Sequence, residues 1–269
     1  MTQKTTDHID GTRGRLAVHR WIPGDPRAVV VLAHGYGEHA GRYDALARHL
    51  AGRGLVVVAP DHAGHGESEG ERALIADFED VVTDLDRVTD TVRDAFEPLP
   101  RVLLGHSLGG IVATRLAQRD AAVWRGLALS GPVIGGNPDI LALIDLDPIP
   151  EVPIDPAALS RDPAVGEAYA ADPLVYHGAF RVETLRAVAQ TVADIGSTVE
   201  GLEIPLLWLH GEEDGLAPLD VTRAAVSELG ASTVERHIYP GARHEVFNET
   251  NRDEVIGHLD AFIDRVVAD

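Results

Sequence analysis

The stretch Leu103-Leu104-Gly105-His106-Ser107-Leu108-Gly109-Gly110 decides how this chain is read. It runs from an apolar strand through G-x-S-x-G into the apolar helix opened by Ile111-Val112-Ala113. A serine on so tight a strand-to-helix turn is pushed out of the sheet with its hydroxyl exposed. Gly105 and Gly109 are expected where a Cβ would strike the crossing strand and helix, and Gly110 relaxes the same crowding. An ordinary glycine-rich turn that merely contains a serine would not require this flanking order. His106 is expected to point away from the serine and to serve the structure.

Outward from this turn the pattern alternates. Residues 16–22, 28–33, 55–59, 102–105, 126–130, 206–210 and 234–239 read as strands, several of them continuous apolar runs of the kind buried on both faces. Residues 43–53, 77–96, 220–229 and 252–267 read as helices. The clearest is 77–96, where Phe78, Val81, Val82, Leu85, Val88, Val92 and Phe96 recur at helical spacing. Strand–helix alternation on this scale predicts a mostly parallel sheet with helices on both faces. The region 133–201 breaks the rhythm. It is rich in Pro and Asp and holds one expected helix, 182–199. Because so long a stretch is seldom structureless, it is read as a cap inserted over the carboxyl ends of the strands. The core is then 1–132 and 202–269.

Composition narrows the chemistry. The chain has 269 residues, 45% of them hydrophobic, enough for one large α/β domain with a sizeable core. It has no cysteine, which removes disulfides, thiolate catalysis and Cys-based zinc sites. A net charge of −20 argues against nucleic acid as a partner. Of 23 basic residues only Lys4 is a lysine. No secretory signal is visible at the polar N-terminus and no apolar run approaches a membrane span, so a cytoplasmic location is expected.

A serine needs a base within hydrogen-bond reach and an acid to orient that base. In this architecture the chain order is Ser, then Asp or Glu, then His. Asp214 follows the strand 206–210 and His244 follows the strand 234–239, each at the rim where Ser107 emerges. Glu212 and Glu213 compete with Asp214 for the acid role. Two backbone N–H groups are needed for a developing oxyanion, and Leu108 and Tyr36 are the expected donors. Tyr36 reads equally as an aromatic wall of the pocket. His34, His39, His62 and His65 cluster in sequence, but their glycine spacing fits tight turns beside a pocket better than a metal site. Neither a metal nor a cofactor is expected.

On the segments HGYGEHAGRY (34–43), DHAGHGES (61–68), GHSLGG (105–110), HGEEDGLAP (210–218) and YPGARHEVFNE (239–249), the chain resembles the α/β-hydrolase superfamily. Within it, the chain is similar to the monoacylglycerol lipase/lysophospholipase group. One departure is Ala63, where many relatives carry arginine. The resemblance implies an eight-stranded, mostly parallel sheet with an inserted cap. It also implies cofactor-free hydrolysis of a fatty-acid monoester of glycerol through an acyl-enzyme. Lysophospholipase, broad carboxylesterase and serine aminopeptidase activities of the same fold stay open, as does a ligand-binding protein on the same scaffold. The expected partner is a small lipid ester, with at most transient contact with lipid aggregates or a membrane surface; the oligomeric state is left open. Between 133 and 200 lie eleven Asp and Glu against three Arg, a net of −8. Such a lid should repel anionic headgroups over a Debye length and favour uncharged monoesters over acyl-CoA. The apolar run 140–144 reads either as an acyl entrance or as buried packing.

Overall fold

Strands Gln3–Asp10 (β1), Arg15–Ile22 (β2), Ala28–Ala33 (β3), Leu55–Pro60 (β4), Arg101–His106 (β5), Gly126–Ser130 (β6), Pro205–Gly211 (β7) and Thr233–Tyr239 (β8) form one sheet. Their order is β1-β2-β4-β3-β5-β6-β7-β8. The computed structural model describes residues 2–150, 152–198 and 201–268. β1 and β2 pair antiparallel, as do β2 and β4, and all other pairs are parallel.

The apolar runs form strands because both faces of the sheet are covered. Along β3, Val29, Val31 and Ala33 enter one core, while Ala28, Val30 and Leu32 enter the other. Helices Phe78–Phe96 (α2) and Leu108–Arg119 (α3) cover the first face through Val82, Leu85, Ile111 and Leu116. Helices Asp44–Gly52 (α1) and Arg252–Ala268 (α8) cover the second through Leu46, Leu50, Leu259 and Phe262. Leu219–Glu228 (α7) adds Val226 to the first core. Among the described residues no helix is long and apolar enough to cross a membrane.

β1 is absent from the sequence reading. Its residues are exposed or half-buried, so no apolar alternation marks it, and it is held by its ladder to β2. Lys4 adds to that hold. Its Nζ lies 2.8 Å from Asp44 Oδ1 and 5.1 Å above the buried Trp21 ring.

Between β6 and β7 the described residues include three α-helices, Pro138–Leu141 (α4), Pro163–Ala171 (α5) and Val182–Ser197 (α6). α6 matches the expected helix; its last expected residue, Val199, lies outside the described residues, as do Glu151 and Glu200 of the acidic set. α4 and α5 were not expected. Each starts on a proline behind an Asn or Asp whose side chain caps the first turn. This segment between β6 and β7 is tied to the rest of the chain by polar bonds. Thr184 Oγ1 accepts from Ile75 N at 2.9 Å, Arg72 Nη2 donates to Leu174 O at 2.6 Å, and Tyr176 N donates to Gly37 O at 2.7 Å.

Candidate active site

In-register parallel pairing brings the carboxyl ends of β3, β5, β6, β7 and β8 to one rim. Ala33 pairs with Gly105, His106 with Ser130, and Gly211 with Tyr239. The loops after these strands carry Tyr36, Ser107, Asp214 and His244.

Ser107 sits between β5 and α3 at φ 53°, ψ −121°, a conformation that a non-glycine residue adopts only under strain. Its N–H donates to Ser130 O at 3.0 Å, and its carbonyl accepts from Gly110 N at 2.9 Å. The glycines are sterically required. A Cβ on Gly109 would lie 2.1 Å from Ala33 O, and one on Gly105 would lie 2.5 Å from Gly109 O.

His244 is buried, and its Nδ1 lies 2.8 Å from Asp214 Oδ2. An ionised carboxylate only accepts, so Nδ1 carries the proton and Nε2 keeps a free lone pair. Asp214 is fixed in turn, because its Oδ1 accepts from Leu216 N at 2.9 Å and Ala217 N at 2.8 Å. Burial alone would raise the Asp214 pKa, but His244, then His210 and the Ala217 amide, hold it below the usual carboxylate range. Burial alone would lower the His244 pKa; the Asp214 carboxylate outweighs it, with help from Glu245 and Glu38, and the net shift is upward. Glu212 and Glu213 are exposed, and His244 pairs with neither.

Ser107 and His244 line the same cavity. Among the described residues, however, no hydrogen bond joins Ser107 Oγ to the imidazole. Such contacts commonly tighten only when a substrate binds. The Leu108 and Tyr36 N–H groups donate to no protein acceptor among the described residues. Leu108 N is the orphan donor of a helix start. The Tyr36 ring stacks on that of Phe180, between β6 and β7, at 5.4 Å, so this residue is also an aromatic wall.

His106 is more than a structural side chain behind the site. It lines the cavity with its ring 4.8 Å from that of His244, and its Nδ1 lies 3.1 Å from Ser130 Oγ. Burial, then His244, push its pKa down to about 4, so it stays neutral. Of the histidine cluster, His34 Nε2 accepts from His62 N at 2.9 Å and His62 Nε2 lies 3.1 Å from His34 O. These rings brace the two loops against each other. In the run 140–144, Ile140 and Leu141 line the cavity, together with Val133, Leu185 and Val188.

A buried ionic network in the same wall escapes sequence reasoning. Arg42 donates to Glu245 through Nη1 and Nη2 at 2.6 and 2.9 Å, and to Glu38 Oε2 at 2.7 Å. Glu38 Oε1 accepts from Gly35 N and from Tyr43 OH, both at 2.6 Å. Burial opposes charge on Glu38, but Arg42 and its other partners keep its pKa low. Arg42 and Glu245 stand 203 positions apart, so spacing cannot pair them. The one available signal is that each charge lies inside a segment already singled out, 34–43 and 239–249.

The model of a family described as serine aminopeptidase, S33, matches residues 24–251. A monoacylglycerol lipase of Mycolicibacterium smegmatis is 38% identical over 93% of this chain and 92% of its own length. The human monoglyceride lipase is 34% identical over 85% of this chain and 79% of its own. A crystal structure of a Paleococcus ferrophilus monoacylglycerol lipase superposes with a TM-score of 0.80 at 28% identity, covering 94% of this chain and 98% of that one.

Proposed function

The chain belongs to the serine aminopeptidase S33 family of α/β-hydrolases, and from that premise we propose that it hydrolyses monoacylglycerols to fatty acid and glycerol. Ser107, His244 and Asp214 are assigned as the reacting serine, its base and the orienting acid. His244 Nε2 takes the Ser107 proton as Oγ attacks the acyl carbon. The Tyr36 and Leu108 N–H groups receive the carbonyl oxygen as it becomes an oxyanion. The imidazolium, stabilised by Asp214, then gives its proton to the glycerol oxygen as the ester C–O bond breaks. A water, deprotonated by the same imidazole, attacks the acyl-enzyme and frees the acid, restoring Ser107.

The carrying observation is the strained serine opening onto the cavity that the Asp214-bound imidazole also lines. The names of the relatives support glycerol monoesters as the substrate class. We read the insertion between β6 and β7 as a cap whose Ile140, Leu141, Leu185 and Val188 take the acyl chain. Transient contact with lipid aggregates would use Leu146 and Val152, which are 49% and 47% exposed.

Ser107→Ala tests the assignment. Turnover of 1-oleoylglycerol is expected to fall by at least about 10⁴-fold, and labelling by a fluorophosphonate is expected to vanish. Retained turnover in a folded variant sinks the reading. A substrate panel that adds lysophosphatidylcholine and a prolyl-naphthylamide separates the ester from the amide and phospholipid alternatives.

A further inference from the structure

We propose that the buried Glu38–Arg42–Glu245 network is a charge filter at the alcohol end of the cavity, admitting esters of uncharged polyols and rejecting those whose alcohol carries a phosphate. This rests on the monoester reading above and adds the headgroup class to it. The cavity has two chemically different ends. The insertion supplies the apolar side chains assigned to the acyl chain, so the leaving alcohol faces the remaining wall. Glu38, Arg42 and Glu245 occupy that wall beside His244, the group that protonates the leaving oxygen. Glu38 is close to the chemistry. A methyl placed on Gly35 would lie 2.9 Å from its Oε1 and 3.2 Å from Ser107 Cβ.

Two carboxylates share one guanidinium, so the network carries a net charge of −1. Their side chains are nearly inaccessible, 6% exposed for each glutamate and 11% for Arg42. Arg42 is the one Arg or Lys among the described residues lining the cavity. It is already held by three hydrogen bonds to the acids and lies 5.2 Å from the Tyr169 ring centre. A phosphate entering here would lose its water against a fixed negative charge and find no free cation. Glycerol hydroxyls carry no charge and suffer no such penalty. This filter differs from the acidic exterior of the insertion, because dissolved ions screen surface charge and reach buried charge poorly.

The test compares kcat/KM for 1-oleoylglycerol and 1-oleoylglycerol 3-phosphate, both as monomers. In the native chain the phosphate ester is expected to be slower by about 100-fold or more, the scale of a like-charge clash. That ratio should move less than about threefold between about 0.05 and about 0.5 M salt. Glu245→Gln makes the network neutral and should narrow the ratio by at least about tenfold, whatever it does to the neutral ester. A purely structural role would slow both esters alike. The proposal is overturned by a native ratio near one, by a ratio that relaxes tenfold with salt, or by an unchanged ratio in folded Glu245→Gln. If that variant does not fold, Glu38→Gln removes the same charge and takes its place, and if neither folds, the native salt series decides. If oleoylglycerol is not cleaved at all, the substrate reading fails separately. The ratio is then taken on phenyl butyrate and 4-butyryloxybenzoate, where a value near one still overturns the filter.

Discussion

At Ser107 the backbone holds a positive φ that costs about 1–3 kcal/mol, and the surrounding turn supports it with bonds to Ser130 and Gly110. The gain is a hydroxyl aimed away from the sheet. The imidazole is prepared by different means. Asp214 selects its tautomer and raises its pKa. A base must be unprotonated to work, so a raised pKa means that activity is lost as pH falls through a value above the ordinary histidine value of about 6.5. The kcat/KM–pH profile of the native chain should therefore rise with an apparent pKa above that value, and one below it contradicts the assignment. Asp214→Asn should act through the tautomer. The asparagine oxygen would keep the Leu216 and Ala217 amides, turning its NH₂ toward His244 Nδ1. The ring proton would move to Nε2, and kcat should drop by about 10⁴-fold with little change in melting temperature.

At the scale of elements, β5, the turn and α3 make one unit whose crossing is set by glycine. Gly109→Ala would drive a methyl to 2.1 Å from the Ala33 carbonyl and should destabilise by about 3 kcal/mol or more. A fall of about 5 °C or more in melting temperature is expected. Gly257 in α8 is the converse, since a Cβ there meets nothing within 4 Å. Gly257→Ala should stabilise by about 0.5–1 kcal/mol. The contrast between the two melts is the check. The same logic explains which elements were legible in advance. β3, β4, β5, β6 and β7 announce themselves because burial on both faces demands unbroken apolar runs. β1 is silent because backbone pairing at an edge places no demand on its side chains. α5 is silent because it buries only Tyr169, too little to write an amphipathic pattern. Ser107, Asp214 and His244 are readable because each follows a strand in a known order. The Arg42–Glu245 pair is not, because only the folded rim brings those loops together.

For the whole molecule the excess of acid is the governing quantity. With 43 Asp and Glu against 23 basic residues, like charges crowd the surface even though many arginines are paired. Screening should relieve this repulsion. The melting temperature is expected to rise as salt increases from about 0.02 to about 0.3 M near neutral pH, and a fall would show that the pairs outweigh the net charge. The same acidity leaves one amine-bearing side chain in the entire sequence, and the fold has already engaged it with Asp44 and the Trp21 indole. Among side chains, a succinimidyl dye or an aldehyde support can therefore attach only at Lys4. That position is on the outermost strand, four strand spacings or about 19 Å from β5. A chain tethered there keeps its entrance clear of the matrix.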